Sequence, residues 1–210
     1  RAQSSRDSAY ALLLQPVGGE TRIVAVGGEG DFVAARYTAA GALDAGFGNG
    51  GKIAGVFGNA TIGAARAVTA TPDGKLVLAG QIQNDVALAR LNGDGTPDAG
   101  FGSGGKVITA VSTNWDSATA LVRQADGKLV AGGWVYEGNS SSGNFVALRY
   151  SADGALDPGF GNAGIAITPV AAPTRSDSGR ALVLQADERI STVRVLQAGE
   201  ASDGGFKFAL

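Results

Sequence analysis

The chain has no cysteine, no histidine and no methionine. Without sulfur or imidazole it can build no disulfide, no thiolate nucleophile, no histidine-based triad and no zinc or iron site on such ligands, which closes the commonest routes to hydrolytic and redox chemistry. The missing initiator methionine reads as a processed product or a piece of something longer, and the absence of cysteine fits either redox compartment. An excess of one charge is also lacking. The 17 basic and 19 acidic residues are interspersed, leaving no basic stripe for phosphates, so nucleic acid is not an expected partner. No apolar run approaches the roughly 20 residues that span a bilayer, and residues 1–8 are polar, with no signal-peptide core.

What is abundant is glycine, 34 residues of it, placed at recurring offsets rather than in low-complexity tracts. The stretch 36–52 returns at 90–106 and at 149–165, with its phenylalanines Phe47, Phe101 and Phe160 lying 54 and 59 residues apart. A period in the fifties signals a repeat architecture. In the second unit, alternating residues 67–71 meet the turn Pro72-Asp73-Gly74-Lys75 and a second apolar run at 76–80. A third run follows at 85–91 and a fourth at 106–111, with no sustained 3.6-residue apolar period anywhere. The chain is therefore expected to be all-β, in four-stranded antiparallel units. In the first unit the opening turn reads as the longer stretch 16–21. Side-by-side units of this kind suit a β-propeller, with a linear β-solenoid as the alternative.

The combination Phe-Val-Ala-Leu-Arg-Tyr (145–150), Asp-Gly-Ala-Leu-Asp (153–157), Gly-Phe-Gly (159–161) and Asp-Gly-Lys-Leu-Val-Ala-Gly-Gly (126–133) resembles the delta-60 repeat family. The resemblance covers nearly the whole chain. It implies a propeller-type repeat of a large, exported bacterial protein, hence an extracellular or cell-surface location, and it implies no particular activity. Blades are expected at 5–58, 59–113 and 114–172, with an incomplete fourth at 173–210. Propellers usually have four to eight blades, and residues 1–9 do not resemble a closing strand. The expected partial ring is completed either by remaining blades of a longer chain or by a second copy.

Arg36, Arg90 and Arg149 each precede Asp44, Asp98 and Asp157 by eight residues, a spacing read as one ion-pair bolt per blade, with Phe47, Phe101 and Phe160 as packing anchors. Asn92, Asp94 and Asp98 loosely resemble a calcium loop, but the equivalent loops keep the turn and drop the ligands. Asp-Ser recurs at Asp7 and Ser8, Asp116 and Ser117, and Asp177 and Ser178, in loops expected to gather near the central channel. With Trp115 as a stacking surface, these residues could hold a cation or a polyol, or each could simply cap a turn. The third unit carries six extra residues in a polar loop that Trp134 and Tyr136 open, and these two rings read equally as a contact for a glycan or a protein and as the strand's own packing residues. Asn59 and Asn139 match the glycosylation sequon. The first functional reading is a non-catalytic binding or scaffold module with no cofactor. The alternative is a hydrolase or lyase acting on polysaccharide through carboxylates such as Asp116 and Asp177.

Overall fold

The computed structural model describes residues 8–58, 60–136, 143–169, 179–185 and 190–194, and every regular element among them is a β-strand. The first sheet holds β1 (Ala9–Val17), β2 (Glu20–Gly27), β3 (Val33–Thr38) and β4 (Lys52–Ile53). The second holds β5 (Gly63–Ala70), β6 (Leu76–Ile82), β7 (Asp85–Leu91) and β8 (Lys106–Thr109). The third holds β9 (Asp116–Arg123), β10 (Leu129–Tyr136), β11 (Gly143–Tyr150) and β12 (Ile165–Thr168), and β13 (Gly179–Leu184) pairs with β14 (Ile190–Arg194). Each four-stranded sheet is an antiparallel meander in chain order. No helix among the described residues is long and apolar enough to cross a membrane.

The hairpins follow from their turns. The Thr71 amide donates to the Lys75 carbonyl at 2.9 Å, the Lys75 amide donates to the Thr71 hydroxyl at 3.0 Å, and the Gly74 amide closes the turn on the Thr71 carbonyl at 2.9 Å. The first unit departs from the expected longer turn: Val17 pairs directly with Glu20 across Gly18 and Gly19. Both glycines have positive φ, 59° and 83°, the geometry that a two-residue hairpin needs. The fourth strands are shorter than expected because pairing ends at Ile53 and Thr109.

The first strands β1, β5, β9 and β13 are neighbours from sheet to sheet, which puts them innermost, with β4, β8 and β12 outermost. The sheets are thus blades of a β-propeller, and the described ones form an open arc. Strand alternation sends one set of side chains forward and one back. Val24 and Val26 of blade 1 pack on Leu76 and Leu78 of blade 2, while Val77 and Ala79 of blade 2 pack on Leu129 and Ala131 of blade 3. The positions in blade 1 equivalent to Leu76 and Leu78 are Ile23 and Ala25. They lie on a face that nothing described covers, where Leu12 and Leu14 are 70% and 68% exposed.

A second contact joins the blades through their outer loops. The Phe47 and Phe101 rings are fully buried, and each abuts a glycine in the next blade, Gly95 and Gly154. A Cβ on Gly95 would lie 3.1 Å from the Phe47 ring, and one on Gly154 2.9 Å from the Phe101 ring. The equivalent Gly41 of blade 1 faces open space. Phe101→Ala is therefore expected to cost about 3–5 kcal/mol in denaturant unfolding. Phe160→Ala, at a half-buried ring, should cost less.

Candidate functional site

Of the three Asp-Ser pairs only Asp116 and Ser117 lie wholly among the described residues, and that pair offers no free carboxylate to a channel. Asp116 and Ser117 are not loop residues: they open β9 and are fully buried. The Asp116 carboxylate accepts the Val111 and Ser112 amides at 2.9 and 2.8 Å and the Ser112 hydroxyl at 2.8 Å. It ties down the loop entering blade 3, the turn-capping role. The strand reaches this far because Gly133 lets the Ser117 carbonyl sit where a Cβ would be. Ser8 is exposed, and its carbonyl accepts the Gly28 amide at 3.0 Å. Asp7, Asp177, Ser178, Asn59 and Asn139 lie outside the described residues. Asp31, which sequence reasoning passed over, does a similar job at the joint of blades 1 and 2, accepting the amides of Phe57 and Ala60.

Trp115 is 45% exposed and lines a cleft of about 240 Å³ at the end of the inner strands. Tyr10, Arg66, Gln81 and Glu29 line it too, with residues 28, 30 and 61–64. Tyr10 and Arg66 occupy the same place in successive blades, the extra residue of a bulge on the innermost strand: register shifts between Ala9 and Ala11 and between Ala65 and Ala67. A bulge re-aims the extra side chain out of the alternating pattern. Thr119 and Arg180 hold the corresponding positions in β9 and β13. The Arg66 guanidinium lies 5.0 Å from the Tyr10 ring centroid, and its Nε is buried with no hydrogen-bond partner. Among the described residues no carboxylate pairs with it. Gln81 is buried, and its Nε2 donates to the Gln83 carbonyl at 2.7 Å. The sequence did carry a mark of this ring: a small residue on each side of a variable one, in Ala-Tyr-Ala, Ala-Arg-Ala, Ala-Thr-Ala and Gly-Arg-Ala.

The insertion in blade 3 begins later than Trp134. Trp134, Val135 and Tyr136 belong to β10 and pair with Phe145, Asn144 and Gly143, so the extra length adds a rung to a hairpin. Trp134 and Tyr136 are half-buried, with ring centroids 5.0 Å apart.

At the opposite end of the blades sit the arginines. Arg36, Arg90 and Arg149 each donate Nε to Oδ2 of Asp44, Asp98 and Asp157, at 2.8, 2.6 and 2.8 Å. Their guanidinium carbons lie 4.6, 4.7 and 4.8 Å from the ring centroids of Phe47, Phe101 and Phe160. Beyond what spacing suggested, Arg36 Nη1 also reaches the Gly93 carbonyl of the next blade at 2.5 Å, and Arg90 Nη1 reaches that of Ala152. The calcium reading fits these residues poorly. Asn92 turns its amide nitrogen to Thr96, Asp94 accepts the Thr96 amide and hydroxyl, and Asp98 is held by Lys75 and Arg90. Such a loop is closed by its own side chains. Asp85 is another residue that sequence reasoning missed. Its pKa is raised by burial first and by the Asp116 charge second.

A family model described as Domain of unknown function (DUF5122) beta-propeller matches residues 17–47, 71–101 and 124–160, each match ending on the repeat phenylalanine. No curated protein matches the chain.

The Lys75 hydrogen bond leads the causes that hold the Asp98 pKa down to about 2, with the Gly100 amide and Arg90 adding to it against desolvation. Because the folded value lies below the unfolded one of about 3.9, this carboxylate's stabilisation is complete above pH 4 and lost as pH falls toward 2. Asp98→Asn, which takes from Arg90 its carboxylate and leaves Lys75 only the longer pair with Asp73 at 3.7 Å, should cost about 3 kcal/mol at neutral pH. It should also flatten the acid dependence of unfolding in that window. A variant with the wild-type pH profile would refute the assignment.

Proposed function

We propose that this chain, which belongs to a propeller-type repeat family, is a non-catalytic binding and scaffold module of the delta-60 kind, part of an exported bacterial protein and working outside the cell. The observation that carries the scaffold role is the uncovered face of blade 1. Ile23, Ala25 and Tyr37 repeat the positions that blades 2 and 3 bury against their predecessors, and Leu12 and Leu14 repeat those of Val68 and Ala70, which pack against the blade 1 and 2 core. In blade 3 the position of Tyr37 is Tyr150, fully buried, with its hydroxyl 2.9 Å from Thr109 of blade 2. The loop of blade 1 repeats the same message: Gly41 is vacant where Gly95 and Gly154 receive a ring, and the carbonyl of Ala39 occupies the place of those of Gly93 and Ala152.

The complement of this face is another blade of the same repeat, and we assign it to a second copy docking head to tail. A patch of this size and apolar character is otherwise an association liability. The exported setting rests on the delta-60 resemblance. Among the described residues the hydrolase or lyase reading has no observation in its favour, since the oxygens of Asp116 are taken by the loop they hold.

Light scattering at micromolar concentration tests the scaffold reading. The chain should run as a multimer, and the double variant Leu12→Glu, Leu14→Glu should run as a monomer with unchanged β-sheet circular dichroism. A wild-type chain that stays monomeric would contradict assembly through this face.

A further inference from the structure

The axial cleft between blades 1 and 2 has a chemistry of its own. Arg66 is the one residue lining it whose charge sits on a buried, unpartnered nitrogen. Glu29, the acidic residue that also lines it, is exposed, so water screens its charge. A guanidinium recognises a carboxylate through two parallel N–H donors, and such charge-assisted bonds are the stronger kind. The Tyr10 and Trp115 rings, 49% and 45% exposed, supply two apolar surfaces against which a ring can stack. With its Nε2 committed to the Gln83 carbonyl, Gln81 keeps Oε1 as an acceptor for a hydroxyl. The volume of about 240 Å³ falls short of the ~300–1,000 Å³ of pockets for drug-sized ligands. It suits a single ring at the end of, or within, a longer chain that runs out of the cleft.

Taken together, a buried cation, two stacking rings and a hydroxyl acceptor in a one-ring cleft point to an acidic sugar. We propose that this cleft binds one carboxylate-bearing sugar ring of an acidic polysaccharide, with Arg66 on the carboxylate, Trp115 and Tyr10 on the ring faces and Gln81 on a hydroxyl. The site deepens the binding role proposed above and rests on that reading. It does not depend on the blade 1 face, which lies on the other side of β1. The bulge explains why the site belongs to this pair of blades: the residue it re-aims is aromatic in blade 1 and cationic in blade 2, but Thr119 in blade 3, where the hydroxyl is used on the Gly132 and Gly179 carbonyls.

Titration of the intact chain with digalacturonate, and with its uncharged dimethyl ester as the matched control, tests the proposal by calorimetry. Saturable binding of the acid is expected, weakened about tenfold or more by esterification, by Arg66→Gln and by Trp115→Ala, with tenfold equal to about 1.4 kcal/mol. Affinity for the acid should fall as salt is raised. Thermal unfolding of both variants should match the wild type, and the comparison of acid with ester needs no variant at all. Equal binding of acid and ester, full affinity in Arg66→Gln, or no heat at millimolar digalacturonate would overturn it. A chain that assembles but ignores the acid sinks the cleft alone, and a monomer that binds the acid sinks only the assembly.

Discussion

In blades 1 and 2 one guanidinium makes three kinds of contact at once. In blade 2, Arg90 grips Asp98 of its own outer loop, lies against the ring of Phe101, and donates across the seam to the carbonyl of Ala152. Blade 1 does the same with Arg36, Asp44, Phe47 and Gly93. The aspartate is what makes the arrangement tolerable, because a mostly buried cation without a counter-charge is strongly unfavourable. The glycine of the receiving loop is what makes it close, since any side chain at Gly154 would collide with Phe101. Folding of one outer loop is in this way coupled to docking of the next blade. The apolar seams between sheets, Val24 and Val26 on Leu76 and Leu78 for example, supply most of the buried area, and the arginine fixes their register.

The two ends of the blades are built to different rules. At the arginine end the guanidinium, carboxylate and ring meet in the same way in each of the three blades, and the three carboxylates are engaged in holding structure. The opposite end varies from blade to blade. There the bulged residue of the innermost strand is Tyr10, Arg66, Thr119 or Arg180, and the joining loops are held by Asp31 in one case and Asp116 in another. A rigid, repetitive end and a variable end on one framework are what a display scaffold requires, and loops set on such frameworks are where binding residues accumulate.

Much of the architecture was legible because a repeat prints its own register. Comparing three copies of one motif exposed the antiparallel units, the arginine to aspartate spacing and the phenylalanine anchors. The same comparison could not say how far an arginine reaches, so the bond from Arg90 to the next blade was invisible: the Ala152 carbonyl is backbone, and backbone carries no sequence signature. It also misplaced Asp116. An aspartate next to a serine before an alanine-rich strand looks like a loop cap exposed to solvent, whereas Gly133 opposite allows the strand to run on and bury it. Trp134 and Tyr136 read equally as loop-borne contacts or as packing residues of the strand, since an insertion is located by length alone and pairing decides where the strand ends. The bulge that aims Tyr10 and Arg66 into the cleft is a backbone event, marked only by the small residues on either side.

If the arginine couples each outer loop to the seam with the next blade, Arg90→Gln should loosen that seam alone, which native-state hydrogen exchange can read. The amide of Gly102 donates across the seam of blades 2 and 3 to Asp153 at 2.8 Å, and that of Gly48 donates across the seam of blades 1 and 2 to Asp94 at 2.7 Å. Seams held separately open separately. The variant should lose protection at Gly102 while Gly48 keeps it. Retained protection at Gly102, or an equal loss at both amides, would contradict the account.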